Sequence, residues 1–354
     1  MLIDNNTGRP VYFEGNETAI KRAANWIGAT IHKSPDCLLR CERGMGYPIN
    51  RAQSELGNTT GGFVVPDELS GEVIALRNLV GVLRREARTV TMGSDHISVP
   101  RRTAGATAVF VGENTAISET NLAWDQVALT AKKVGLLSRV STELSEDSAV
   151  ALVEYFIEEF AHAIASVEDD CGFNGDGTSA YGGMIGLTKL AIDGAHAAGK
   201  VTAASGHDTF DELDASDLSA VMAALPEQHF ENASWYISAY GMARSFGRLG
   251  MSSAGFRQTP NGRRPIMTYA GFPIVTTPKL PGSGDQSGKV MLAFGDLRNA
   301  AVIGSRTTME LRSSGARYMD TDQIGYRATV RFDVNCANIG DNTNAGALVF
   351  LVGE

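Results

Sequence analysis

The stretch VALTAKKVGLLSRV, residues 127–140, alternates apolar and polar residues in two opposite phases. Val127, Leu129 and Ala131 fall on one face of an extended strand, whereas Val134, Leu136, Ser138 and Val140 fall on the other. Side chains along a strand alternate with period two, so a change of phase requires an extra residue, and the spacing predicts a bulge or bend at Lys132–Lys133. Upstream, Val109 and Val111 supply the other limb of a ribbon and the polar GENTAISETN, residues 112–121, supplies its tip. A two-stranded ribbon with no covering layer is marginal in water, because half of its apolar side chains pack on nothing. It needs a further surface, and a second copy of the same chain is the most economical source.

C-terminal to the ribbon lies a helical beam. In SAVALVEYFIEEFAHAIASVEDDCGFNGDG, the residues Val153, Phe156, Phe160, Ile164, Val167 and Cys171 step by three or four, which predicts a helix over about 148–171. Glu154, Glu158, Glu159, Glu168 and Asp169 fall on its other sides, Asp147 or Ser148 can cap its start, and Gly172 stops it. At 1.5 Å per residue it is roughly 36 Å long. His162 within it reads as a partly buried, hydrogen-bonded imidazole.

Elsewhere the chain reads as a mixed α and β protein. Residues 1–60, broken by Pro10, Pro35 and Pro48, look like an arm with helical spacing only over Glu17–Ile31, and a short helix is expected from about Asp67. Residues 190–210 look like an exposed connection, DASDLSAVMAAL a capped helix, and SWYISAYGMARSFGRL a buried strand followed by a helix. AGFPIVTTPKLP starts another strand, and VMLAFGD, AAVIGS, TTMELRSS, GYRATVRFDVNCANI and GALVFLV are short strand candidates. Flanking helices on a mixed sheet are expected from this alternation.

Bulk properties bound the function. With 354 residues, 43% hydrophobic and 20% charged, the chain can build a large core, and its apolar runs are too short to cross a bilayer. The start MLIDNNTGRPVYFEG lacks the basic-then-apolar pattern of a secretory signal, so a reducing cytoplasm is expected and disulfides are not. Cys37 and Cys41, with His32 nearby, lack a second pair to complete a zinc tetrahedron, so no metal is expected. A formal charge of -9 argues against tight wrapping of nucleic acid, and the separated pairs Arg84–Arg85, Arg101–Arg102, Lys132–Lys133 and Arg263–Arg264 read as solvated faces or protein contacts.

No motif demands catalysis. FNGDGTSAYGGMIGL, residues 173–187, fails as a calcium loop because its oxygen ligands lapse into Ala180, Gly182 and Gly183, and fails as a phosphate cradle because it comes after a helix C-terminus. It is read as a sharp structural turn in which Gly175 and Gly177 take positive φ and Asp176 caps local amides. GSGDQSGKV, residues 282–290, lacks the first glycine and the hydroxyl of a P-loop and is read as a hairpin turn. The six histidines, at 32, 96, 162, 196, 207 and 229, lack metal-ligand spacing, and no catalytic, cofactor-binding or metal residue is assigned.

Several of these apparently structural segments carry a resemblance. LGNTTGGFVVPDEL at 56–69, the segment VFVGENTAISETNLAWDQVALTAKKVGLLSRVSTELSEDS at 109–148, the long helix running into FNGDGT and GGMIGL, and AGFPIVTT at 270–277 resemble, in order and spacing, the Hong Kong 97-type major capsid proteins of tailed double-stranded DNA phages. The likeness covers about residues 56–350.

The resemblance implies an α+β capsid fold: an N-terminal arm at 1–60, a peripheral domain at 61–92, 141–189 and 301–354 with a spine helix and C-terminal strands, an extended β-hairpin loop at 93–140, and an axial domain at 190–300. It also implies a shell of pentamers and hexamers of this chain around double-stranded DNA, with no sequence-specific binding, no membrane and no enzyme activity. Assembly in the host cytoplasm and residence in the virion are implied too, with portal, scaffold or maturation protease, and decoration proteins as further partners. An encapsulin-like compartment and a soluble α/β enzyme are the alternatives. The founding member is cross-linked through a Lys near the loop tip, but that position falls at about Ile117 here, and the acidic helper falls near Arg331–Asp333 without a convincing match. Cohesion without covalent links is therefore expected, with Arg101, Arg102, Glu113, Glu119, Trp124, Arg263 and Arg264 as candidates for contact between subunits.

Overall fold

The computed structural model describes residues 25, 29, 35–45, 77, 81–104, 110, 123–141, 149–252, 256–261, 264–306, 309–314 and 316–354. The described strands, in chain order, are β1 (Arg88–Thr91), β2 (His96–Ala104), β3 (Ala123–Thr130), β4 (Lys132–Ser141), β5 (Lys200–Thr202), β6 (Ser234–Ile237) and β7 (Phe256–Asn261). They continue with β8 (Arg264–Tyr269), β9 (Phe272–Thr276), β10 (Val290–Gly295), β11 (Ala301–Ser305), β12 (Glu310–Ser314), β13 (Gln323–Cys336) and β14 (Leu348–Val352). Two compact units divide the chain, one built from 1–85, 132–169 and 306–332, the other from 86–131, 170–305 and 333–354.

In the first unit, β13 pairs antiparallel with β4 along one edge, from Gln323 opposite Ser141 to Phe332 opposite Lys132, and with β12 along the other. The long helix, Ala149–Asn174, packs on this sheet through Phe160, which is buried with Val140, Tyr326 and Ala328. Phe156 stacks its ring 5.1 Å from that of Tyr326. The helix is longer than expected, about 39 Å at 1.5 Å per residue, because it runs through Gly172 to Asn174. Three bonds fasten that end: Asn174 Nδ2 donates to Lys279 O at 2.9 Å and to Asp170 Oδ1 at 3.1 Å, and Thr188 Oγ1 donates to Phe173 O at 2.7 Å.

The buried line of the helix is rotated from the expected one. Phe160, Ala161, Ile164, Ala165 and Glu168 are buried, while Val167 stands 39% exposed and His162 faces solvent rather than being partly buried. Glu168 lies one full turn beyond Ile164, where the geometry of the helix wants an inward residue. It is tolerated there because it is paired: Arg84 Nε and Nη2 donate to its two oxygens at 2.9 and 2.8 Å, and Arg77 Nη1 lies 3.5 Å away. Asp169, also buried, accepts the backbone N–H of Val82 at 3.0 Å and of Leu83 at 2.8 Å. Those are donors at the start of the short helix Val82–Glu86, which has no partner of its own for them.

The second unit holds a seven-stranded mixed sheet in the order β5-β14-β10-β6-β9-β8-β7. β14 runs parallel to β5 and β6 parallel to β9, while the other pairs are antiparallel. Every residue of β6, β10 and β14 is buried, which is why SWYI, VMLAFG and LVFLV are apolar without alternation. Leu218 and Val221 of the helix Ala215–Ala224, with Phe246 and Leu249 of the helix Phe246–Ser252, join the same core. Trp235 sits at its centre, 4.2 Å from the Phe294 ring and 5.3 Å from that of Phe246, its Nε1 donating to Tyr269 O. An aromatic side chain of this size buries about 200 Å², which stabilises by up to about 5 kcal/mol.

Three expectations change here. The last strand belongs to the seven-stranded sheet and not with the strands of the helical unit, since an all-apolar LVFLV needs neighbours on both edges and cover on both faces. Residues 190–210 contain β5, which adds a short parallel edge beside β14, so the segment is more than a connection. The 282–290 segment joins β9 to β10, which flank β6 and do not pair, so it is a crossover rather than a hairpin.

Candidate assembly surface

The ribbon is formed by β2 and β3, antiparallel from His96 opposite Thr130 to Ala104 opposite Ala123, with an irregularity between Arg102 and Ala104. Its described inner limb is thus 96–104, upstream of Val109 and Val111, which lie outside the described residues with the tip at 112–121. The break falls at Ala131, one residue before the expected Lys132–Lys133, both of which lie inside β4. β3 ends at Thr130, Ala131 lies between the strands with its N–H donating to Asp95 O at 2.9 Å, and β4 begins at Lys132 with β13 as its partner. The hairpin is accordingly shorter than 93–140, because 132–141 satisfies its backbone in a different ladder.

Within the described part of the ribbon, the packing is at the base. Val99, Val127 and Leu129 are buried with Met92 and Val302, and Ile97, Val90, Ala131 and Ala337 pack partly against them. Beneath, β1 runs parallel to β11, and Gly304 of β11 leaves room for Met92 and Leu129, whose atoms lie 2.6 and 3.1 Å from where its Cβ would stand. Farther out, Arg101, Trp124 and Asp125 are exposed, Trp124 by 62%. Arg101 Nη2 and Nε reach Asp125 Oδ2 at 2.6 and 3.0 Å, and Arg101 Nη1 donates to Ala337 O at 2.6 Å. The Gln126 N–H and the Arg101 guanidinium together hold the Asp125 carboxyl below the usual carboxylate range.

The sequence-derived contact candidates therefore separate. Arg101 and Trp124 lie on the ribbon two and one pairs from its described end, and Arg102 is the register partner of Trp124. Arg264 starts β8 opposite Asn261, in the seven-stranded sheet and not in the ribbon ladder. Glu113, Glu119 and Arg263 lie outside the described residues, as does Ile117. Asp333, a poor match to an acidic helper, accepts the Thr130 N–H at 2.6 Å, and Asn335 Nδ2 donates to Ala128 O at 2.9 Å.

The turn at 175–186 is a closed structural device. Asp176 bridges Ile185, Gly177 N–H donates to Met184 O at 2.9 Å, Gly186 N–H donates to Gly175 O at 2.8 Å, and Asp176 Oδ1 accepts from Thr178 N–H at 2.8 Å. Gly177 has φ 83°, as expected, but Gly175 is not in the left-handed region. Gly175 is needed for space instead: a Cβ there would stand 2.5 Å from Cys171 O and 2.7 Å from Met184 O.

Among the described residues, His207, Asp214 and Asp217 bring ligand atoms within 4.8 Å of one another. Three of the four carboxylate oxygens already hold hydrogen bonds. Asp214 Oδ1 accepts from Ser216 and Asp217 N–H, Asp217 Oδ1 accepts from Ala204 N–H, and Asp217 Oδ2 meets Asp214 N–H and His207 Nδ1 at 3.1 and 2.6 Å. This is a capping box on the helix Ala215–Ala224, extended by one imidazole. Cys41, Cys171 and Cys336 carry thiols and not disulfides.

Comparison with known proteins adds the family. The Phage capsid family matches residues 61–339 of the chain. A curated major capsid protein of Klebsiella oxytoca phage phiKO2 is 28% identical over 271 residues, 74% of this chain and 60% of that protein, so the chain spans about three fifths of this relative's length. The capsid of an empty GTA particle superposes with a TM-score of 0.58 at 16% identity, covering 77% of this chain and 90% of that one. A chain of Mycobacterium phage Bobi superposes with a TM-score of 0.54 at 17% identity, covering 77% and 90%.

Proposed function

The chain belongs to the phage capsid family and has the Hong Kong 97-type capsid fold, and from that premise we propose that it is a major capsid protein whose copies tile an icosahedral shell around double-stranded DNA. The observation that carries the proposal is the ribbon: its base is packed into the second unit, while its outer part presents Trp124, 62% exposed, with nothing from the described chain covering it. An apolar ring held out on a two-stranded ribbon costs solvation until a surface covers it. A neighbouring copy is that surface. Interfaces of the size found in obligate assemblies, about 2,000 Å² or more, outweigh the cost of ordering one hairpin.

In this reading the ribbon is the extended loop, the unit with the long helix is the peripheral domain, and the seven-stranded sheet is the core of the axial domain. Repeated heterologous contacts close into pentamers and hexamers and then a cage. Cohesion is noncovalent, with Arg101, Arg102 and Trp124 among the contacts. Scaffold or protease, portal and decoration proteins complete a virion assembled in the host cytoplasm. The chain acts as a container and not as an enzyme, and its formal charge of -9 suits confinement of DNA without gripping it.

Size measurement tests this. Gel filtration with light scattering and electron micrographs should show pentamers, hexamers or closed particles, and replacing 101–123 by a short Gly linker should abolish particles while leaving the core folded. A protein that stays monomeric at high concentration, or a deletion that still closes normal shells, overturns the proposal.

A further inference from the structure

We propose that Asp333 and Asn335 are positioning residues that aim the ribbon, acting as a side-chain latch along the outer edge of β3. β13 runs to Cys336, and its residues 333 and 335 point the same way because strand side chains alternate. They meet β3 at alternate positions: Asp333 Oδ2 accepts the Thr130 N–H at 2.6 Å, and Asn335 Nδ2 donates to Ala128 O at 2.9 Å. A third tie comes from the ribbon itself, where Arg101 Nη1 donates to Ala337 O at 2.6 Å while Asp125 holds the rest of the guanidinium. Residues 333, 335 and 337 thus meet β3 at Thr130 and Ala128 and its partner strand through Arg101.

The chemistry of the ties matters. A strand added by backbone bonds would satisfy this edge with a ladder that no single substitution removes. Here the edge is satisfied by side chains, and Asp333 is 8% exposed, so its bond is shielded from competing water. Apolar packing by Val99, Val127 and Leu129 holds the base but is non-directional. Direction comes from the hydrogen bonds, which have strict geometry. The latch therefore sets where Trp124 is presented, while the stability of the unit comes from its cores.

This inference rests on the shell-forming reading, and its test separates the two. Hydrogen exchange is measured by mass spectrometry on soluble subunits or capsomers, comparing peptides over 123–131 with peptides over 290–295 and 348–352, for the parent chain, Asn335→Ala and the double variant Asp333→Ala with Asn335→Ala. Losing the latch should speed exchange of the ribbon peptides by about tenfold, as local opening of one bonded edge does, and leave the sheet peptides unchanged. Asp333→Asn, which keeps an acceptor, should retain most of the protection that the double variant loses. Particles of the double variant should be absent or mixed in diameter. Unchanged ribbon exchange overturns the latch, and faster ribbon exchange with uniform particles of the parent diameter overturns the aiming role. If the double variant loosens the whole unit, Asn335→Ala alone decides, since its side chain is only partly buried. Failure of the parent chain to form shells sinks the capsid reading and leaves the exchange result to judge the latch.

Discussion

Glu168 and Arg84 form a bidentate ion pair, 2.8 and 2.9 Å, with side chains 1% and 5% exposed, on the long helix and the short helix that it holds. Arg77 shares Glu168 at 3.5 Å, and burial pushes its guanidinium down to about 10, with the Glu168 charge opposing the shift. Removing only the carboxylate strands two guanidiniums away from water. Glu168→Ala should therefore cost about 3–5 kcal/mol, whereas the triple change Arg77→Met, Arg84→Met, Glu168→Leu should stay within about 2 kcal/mol of the parent. Denaturant unfolding of both variants checks the ordering, and equal losses would contradict it.

Gly175 and Gly177 should tolerate an added side chain to different degrees. At Gly175 a methyl group meets two backbone carbonyl oxygens, at 2.5 and 2.7 Å, so Gly175→Ala forces the turn open and should cost about 3 kcal/mol or more. At Gly177 the nearest atom is a side-chain carbon of Ile185 at 3.5 Å, and only the positive φ is at issue. Gly177→Asn should cost no more than about 1 kcal/mol, since Asn tolerates the left-handed region. Thermal melting of the two single variants distinguishes them.

His207 links stability to pH. Its hydrogen bond from Nδ1 to Asp217 raises its pKa above the ordinary 6.5, with the charges of Asp217, Asp214 and Glu212 adding to the effect against partial burial. A raised folded-state value means that protonation favours the folded form. The contribution is complete below pH 6.5 and disappears as pH rises through the higher folded-state value. The melting temperature of the parent should thus fall relative to that of His207→Gln between about pH 6 and pH 8. A constant difference across that range would refute the linkage.

Much of the fold was legible because its signals are local. The all-apolar runs of β6, β10 and β14, the Asp214 cap and the phase change before Val134 are statements about neighbours in sequence, and the structure agrees with them. Long-range partners were not legible. Glu168 and Asp169 look like solvent-facing acids until Arg84 and the Val82–Leu83 amides, more than eighty residues earlier in the chain, are placed beside them. Gly175 reads as a conformational requirement, yet it is a spatial one set by Met184 across the turn. Asp333 and Asn335 look like ordinary polar residues in a strand because the edge they serve lies some two hundred positions away, and no periodicity marks it. Trp124 could be named from sequence only through resemblance, since exposure is not a property of the chain read alone.

Trp124 should matter for assembly and not for folding. Its side chain is 62% exposed in the subunit, so Trp124→Ser removes little packing, and the melting temperature of the unassembled protein should move by less than about 2 °C, the scale of a surface substitution. Buried by a neighbour, an aromatic anchor at the centre of a contact is worth about 2 kcal/mol or more, and a shell repeats that contact at every subunit. A loss of this size per contact should raise the concentration needed for particle formation by at least about thirtyfold. Light scattering across a dilution series measures that threshold. A variant that assembles at the parent concentration would remove Trp124 from the interface, and one that melts early would place it in the core instead.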